Sequence, residues 1–149
     1  MFKNYKMGFD VKGLIMFAII MIPNIIWSFV PAPNDILKAE SVTVLLDSIA
    51  SVSQVLMILA LCVFINKDNC KLNINPLTIS TAICTILYYL CWVLYYTGIV
   101  QSVIILGLAV LPCVAFLLFA IDRKNYIAII PTAIFTVCHI IFAVVNFVV

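Results

Sequence analysis

Five long apolar stretches, separated by short polar connections, dominate the pattern of hydrophobic and polar positions along the chain. They cover residues 13–30, 42–65, 76–98, 102–121 and 126–147. A transmembrane helix needs about 17–25 predominantly apolar residues, whereas a strand of a membrane barrel spans about 10 residues of alternating polarity. The pattern therefore predicts an all-α integral membrane protein, with five transmembrane helices in a compact bundle that forms a single polytopic domain over residues 1–149.

Composition agrees with this class. Hydrophobic residues make up 66% of the 149 residues and charged residues 9%, whereas a soluble domain typically carries about 25% charged residues. The net charge is only +2, and the basic residues form no cluster that could cover a phosphate backbone. We therefore expect the chain to have the lipid bilayer as its partner and to bind no nucleic acid.

The basic residues predict the orientation of the chain. With five spans, seven of the eight fall on one side of the membrane, and only Lys38 falls on the other; the seven are Lys3, Lys6, Lys12, Lys67, Lys71, Arg123 and Lys124. Short loops rich in Lys and Arg stay in the cytoplasm. The sequence therefore predicts a cytoplasmic amino terminus, an external carboxyl terminus and a place in the plasma membrane. The first span exceeds the apolar core of a signal peptide and is predicted to be retained.

Polar side chains recur at helical spacing inside the spans. Asp47, Ser51 and Gln54 stand at i, i+4 and i+7 in the second span, and Thr136 and His139 continue a similar stripe in the fifth. Residues at this spacing share one helix face, and polar groups in spans usually face the bundle interior or a wet cavity. We expect the stripes to face inward, and Leu56, Ile105 and Phe142 to face lipid.

Several of the polar and aromatic side chains also lie at similar depths in the membrane. At 1.5 Å per residue, five polar or aromatic side chains lie about 7 to 15 Å from the outer ends of their helices; they are Asn24, Asp47, Tyr88, Trp92 and His139. This shared level predicts a polar, aromatic-walled pocket open to the outside. Its ligand-binding residues are predicted to be Asp47, His139, Asn24, Tyr88, Trp92, Ser51, Gln54 and Thr136.

Asp47 and His139 are the only strongly ionisable side chains well inside the predicted spans, and their pairing has two interpretations. A carboxylate beside an imidazole stabilises the charged form of both, which suits a proton relay or a pH-dependent ligand site. Alternatively, a histidine in a span is a hydrogen-bond partner that holds helices together. The pocket hypothesis predicts a coupled, water-accessible pair.

Signatures of catalysis and of metal or cofactor binding are missing from the sequence. The six cysteines contain no C-x-x-C pair, so we interpret them as small packing residues. Motifs for zinc peptidases, serine hydrolases and nucleotide-binding loops are also missing. We therefore predict no catalytic residues, no cofactor and no metal site.

Two functional hypotheses from different classes remain. The first is a protein that binds or transports a small molecule or ion through the outer-half pocket. The alternative is a non-catalytic accessory, assembly or immunity subunit whose polar stripes only mediate helix packing. The short loops favour the first, because they leave a partner protein little surface to bind. Five spans cannot form an even inverted repeat, so a transporter of this kind is expected to be a homo-oligomer.

Overall fold

Five long helices form the fold, as the sequence predicts. A computed structural model describes residues 4–67 and 74–148. The helices are α1 (Val11–Phe29), α2 (Val44–Val63), α3 (Pro76–Tyr96), α4 (Ser102–Asp122) and α5 (Tyr126–Phe147). Each is long and apolar enough to cross a membrane, and each predicted span agrees with its helix to within two residues at either end.

Polar caps fix where three of the helices begin. The side chain of Asn75 accepts a hydrogen bond from the backbone N–H of Thr78, and Pro76 takes the first helical position, where its missing N–H costs little. Asn125 accepts from Ala128 at the start of α5, and Asp10 accepts from Lys12 at the start of α1.

A short antiparallel ribbon, which the sequence pattern does not predict, joins the amino-terminal segment to the end of α2. Its strands are β1 (Tyr5–Met7) and β2 (Phe64–Asn66), with Lys6 opposite Ile65. Next to it, Gly13 lies so close to α2 that an added Cβ would stand 2.5 Å from the carbonyl oxygen of Leu61. The ribbon and this close approach hold the first turns of α1 against the last turns of α2.

The helices form a closed ring in the order α1, α2, α5, α4, α3. The contacts of α4 with α3 and α5, and of α2 with α5, are extensive, whereas α1 touches α2 and α3 more lightly. Four helices thus form a firmly packed framework, and α1 closes the ring. This arrangement leaves space between the helices where polar side chains can meet.

The most apolar helix, α4, is also the most buried of the five. The prediction that Ile105 faces lipid is wrong, because this side chain is 1% exposed inside the bundle. A helix that is hydrophobic all round has no polar stripe to orient it. In α4 the small residues are buried where neighbouring helices approach, among them Ala109, Ala115 and Ala120. Leu56, in contrast, is 53% exposed on the outer surface of the bundle, as predicted.

One end of the bundle is held by a buried ion pair and a set of polar contacts. We call it the charged end, defined by Asp10, Asn66, Asn75, Arg123 and Asn125. Arg123 donates to the Asp10 carboxylate over 3.0 Å, so that the turn between α4 and α5 is tied to the start of α1. Asn125 donates to the carbonyl oxygens of Ala60 and Phe64 at the end of α2.

The opposite end is fastened by the loop between α1 and α2. We call it the aromatic end, defined by Trp27, Asp35, Tyr95, Tyr96 and Asn146. The Asp35 carboxylate accepts hydrogen bonds of 2.9 Å from the Trp27 indole and from the Tyr95 hydroxyl. Asn146 accepts from the backbone N–H of Val42 and donates to the Thr43 hydroxyl. The loop is therefore tied to three helices.

The basic residues divide between the two ends as the five-span pattern requires. Within the described part of the chain, Lys38 lies at the aromatic end, and the others lie at the charged end; these are Lys6, Lys12, Lys67, Arg123 and Lys124. Lys3 and Lys71 lie outside the described residues.

Candidate ligand-binding site

A polar cavity lies inside the ring and is lined by all five helices. Its volume is about 260 Å³. Six of the eight residues predicted from the sequence to bind ligand line it: Asn24, Asp47, Ser51, Gln54, Tyr88 and His139. The shared level that was counted along four separate helices thus corresponds, apart from Trp92, to one space in the folded chain.

The stripe of α2 forms one wall of the cavity. Across residues 4–67 and 74–148, the side chains of Asp47, Ser51 and Gln54 make no hydrogen bond to another helix. Asp47 and Ser51 are exposed, and Gln54 is half-buried. The α2 side of the cavity is therefore open at the surface of the bundle, and polar atoms are available there to a ligand or to water.

The opposite wall is held by a hydrogen bond between α1 and α3. The Asn24 amide donates to the Tyr88 hydroxyl over 2.6 Å, and also to the carbonyl oxygen of Ile20 in its own helix. Tyr88 is 1% exposed. Both side chains are therefore fixed in position, so this wall presents a defined hydroxyl and amide surface to the cavity.

The imidazole of His139 lies between two phenyl rings of its own helix. Its centroid is 5.0 Å from that of Phe135 and 6.2 Å from that of Phe142, and both pairs are stacked. The predicted direct contact with Asp47 is not formed: within the described chain, no hydrogen bond or ion pair joins these two side chains. They face the same cavity from α2 and α5, so a ligand or water can lie between them.

A second cavity, of about 230 Å³, adjoins the first toward the aromatic end. We call it the aromatic cavity, after Trp27, Trp92, Phe142 and Phe147, which line it. It shares Asn24, Leu108 and His139 with the polar cavity. Trp92, the seventh predicted site residue, lies here rather than in the polar cavity.

The indole of Trp92 has a free donor in this wall. The side chain is 5% exposed, and its Nε1–H is buried with no hydrogen-bond acceptor among the described residues. Its ring lies 6.3 Å from that of Trp27, centroid to centroid. A buried N–H without an acceptor is costly, and this atom does not reach the surface of the cavity.

Two predictions about α5 differ from the structure. Phe142, expected to face lipid, lines the aromatic cavity, because its ring follows that of His139 on the same helix face. Thr136, expected to bind ligand, lines neither cavity. Its hydroxyl donates to the carbonyl oxygen of Thr132 over 2.7 Å, which satisfies the side chain within its own helix.

Other lining residues gave little or no signal in the sequence. Leu108, Pro112 and Phe116 of α4 line the polar cavity, but a helix without polar contrast does not reveal its inner face. Pro112 is the one signal of this inner face in the sequence of α4. It has no N–H to donate to the carbonyl oxygen of Leu108, four residues earlier. A proline within a span could therefore have marked the wall of a cavity.

The site's chemistry suits binding. It offers one carboxylate, one imidazole, hydroxyls and carboxamides within an otherwise apolar enclosure. In the part of the chain that the structure describes, no group of three or more His, Cys, Asp or Glu side chains could hold a metal ion. Comparison of the chain with protein-family models, with curated proteins and with solved structures finds no match.

Proposed function

We propose that this chain is a multi-pass membrane protein that binds or transports a small molecule or ion through the polar cavity and the adjoining aromatic cavity. The observation that supports this most strongly is the α2 stripe. Asp47, Ser51 and Gln54 line a cavity, and their side chains make no hydrogen bond to another helix in the described chain. Polar groups in spans are costly unless they are paired or hydrated, so a binding role accounts for their presence.

The alternative proposal is an accessory, assembly or immunity subunit in which the stripes only hold helices together. That proposal would be favoured if the stripes formed hydrogen bonds between helices. Thr81 and Thr85 of α3, like Thr132 and Thr136 of α5, instead donate to carbonyls of their own helices. The Asn24–Tyr88 bond is the kind of contact that the alternative requires. The distribution of hydrogen bonds favours the binding proposal.

The proposed orientation places the charged end in the cytoplasm. It rests on the excess of Lys and Arg at that end, because short basic loops stay on the cytoplasmic side. Asp47 lies in the first turn of α2, near the aromatic end, so the cavity would face the outside. A ligand would then reach Asp47 from the external side or from the outer leaflet.

Cysteine labelling tests whether the polar cavity is accessible to water. In a variant that lacks the six native cysteines, Ser51→Cys should react with a charged, membrane-impermeant thiol reagent added from outside. Val52→Cys is the matched control. It has the same depth, but Val52 is 61% exposed on the apolar surface of the helix, where a thiol in lipid does not ionise and stays unreactive.

Reaction at position 51 but not at position 52 would support the cavity. If neither the Ser51→Cys nor the Val52→Cys variant reacts with the reagent, the proposal of an outward-open site is overturned. Equal reaction of both would show that the helix is not embedded in lipid at this depth, which would also contradict the proposal.

A further inference from the structure

We infer that the site takes a small organic cation with an apolar body, which places its charged group at Asp47 and its apolar part in the aromatic cavity. This inference rests on the proposed function and adds the chemical class of the ligand. Three features carry it: the charge of the polar cavity, the size of the two spaces, and the composition of the second one.

The polar cavity has an acidic group without a cationic partner. Asp47 is a carboxylate, and no Lys or Arg among the described residues lines either cavity. The two ion pairs of the described chain involve Asp35 and Asp10 instead. Opposite charges attract, so a ligand cation would stabilise an Asp47 carboxylate in this position.

Asp35, a carboxylate of the loop at the aromatic end, is already satisfied. It accepts hydrogen bonds from Trp27 and Tyr95, and Lys38 lies 3.8 Å from it. The Lys38 ammonium also lies 5.8 Å from the centroid of the Trp27 ring. Of these two carboxylates, Asp47 is therefore the one that is available to a cationic ligand.

The size of the site favours an organic ion over a metal ion. The polar cavity, with its 260 Å³, has the volume of about nine water molecules at ~30 Å³ each. A single dehydrated ion would leave most of that space unfilled and would lack a set of three acidic or imidazole ligands among the described residues. A quaternary or primary ammonium group with attached carbons would fill it.

The aromatic cavity supplies a place for the apolar part. Two indoles and two phenyl rings line it, and it adjoins the polar cavity, with which it shares Asn24 and His139. Aromatic walls bind apolar groups and also attract cations over their faces. At the aromatic end, Leu37 of the loop lines this cavity, and its backbone N–H donates to the Tyr95 hydroxyl.

A matched pair of probes tests the sign of the charge. The protein is reconstituted in phosphatidylcholine vesicles and titrated with hexyltrimethylammonium or with hexanesulfonate, which share a six-carbon chain and carry opposite charges. The two tryptophans of the chain both line the aromatic cavity, so their fluorescence reports its occupancy. We expect a saturable change with the cation and none with the anion.

Asp47→Asn should weaken binding of the cation about tenfold or more, because it removes the only carboxylate of the cavity. Glu40→Gln is the control, since it removes the same charge from an exposed position in the loop at the aromatic end, and it should leave binding unchanged. Thermal unfolding of both variants checks that each is folded.

The outcomes separate the inference from the proposed function. Equal binding of both probes, or unchanged affinity in Asp47→Asn, would overturn the cation assignment while leaving a water-accessible cavity in place. If neither probe binds although the Ser51→Cys variant reacts from outside, the cation assignment is likewise overturned and the water-accessible cavity stays in place. If Ser51→Cys is unreactive, the proposed function itself fails.

Discussion

At the scale of single residues, polar side chains within the helices fall into two groups. Threonines such as Thr132 and Thr136 donate to carbonyls of their own helix, so they need no partner elsewhere. Among the residues that the structure describes, Gln54 and Ser51 form no such bond, and they line the cavity. The distinction decides which polar residues are satisfied within their own helix and which are available to a ligand.

Substitution tests this division through stability. Gln54→Leu and Ser51→Ala should change the free energy of unfolding by less than about 0.5 kcal/mol, because no hydrogen bond is lost. Tyr88→Phe should cost about 1 kcal/mol, because it removes the acceptor of the Asn24 amide between α1 and α3. Reversible unfolding in mixed detergent micelles provides the measurement. A larger loss for Gln54→Leu than for Tyr88→Phe would favour the packing role of the stripes.

At the scale of elements, α1 is held chiefly at its first turns. The ribbon, the close approach of Gly13 to α2 and the Asp10–Arg123 pair all lie at the charged end. Along the rest of its length, α1 contacts its neighbours lightly, apart from the Asn24–Tyr88 bond and the hydrogen bonds that Tyr89 and Tyr96 donate to its backbone. Stability of the ring should therefore depend strongly on the charged end.

Asp10→Asn should destabilise the protein by about 3 kcal/mol, because it leaves the guanidinium of Arg123, which is 6% exposed, without its charged partner. Asparagine also caps helices well, so the cap of α1 is retained and does not confuse the result. Combining Asp10→Asn with Arg123→Gln should cost less than the sum of the two single changes. Unfolding in detergent checks this cycle, and strictly additive losses would contradict the coupling.

At the scale of the whole molecule, the five helices alternate in direction and bring their ends together in two polar layers. The charged end carries the basic residues of the described chain apart from Lys38. The aromatic end carries the fastened loop and lies nearest to the aromatic cavity. Which layer meets the cytoplasm decides the side from which a ligand arrives.

Reporter fusions test that orientation. Alkaline phosphatase fused after Val149 should be active and green fluorescent protein dark at that site, because the basic residues hold the other end inside. The same reporters fused after Lys124, between α4 and α5, should give the reverse. A cytoplasmic signal from the fusion after Val149 would contradict the proposed orientation.

The sequence by itself determined the helices and much of the polar cavity's lining. Span length and apolarity are properties of the local chain, so the helix bounds could be predicted closely. The stripe of Asp47, Ser51 and Gln54 was visible because residues three and four apart share a helix face. The axial rise per residue then placed Asn24, Tyr88 and His139 at one level, and these six side chains line one cavity.

Only the tertiary structure decided which faces meet. The helix α4 has no polar contrast, so its burial and the position of Ile105 follow from packing against α3 and α5. Arg123 pairs with Asp10, which is 113 positions away in the sequence, and no local pattern predicts such a contact. For the same reason Asp47 and His139 share a cavity without touching, and Trp92 and Phe142 line a second one. Depth along a helix follows from counting residues, whereas rotation about its axis is set by its neighbours.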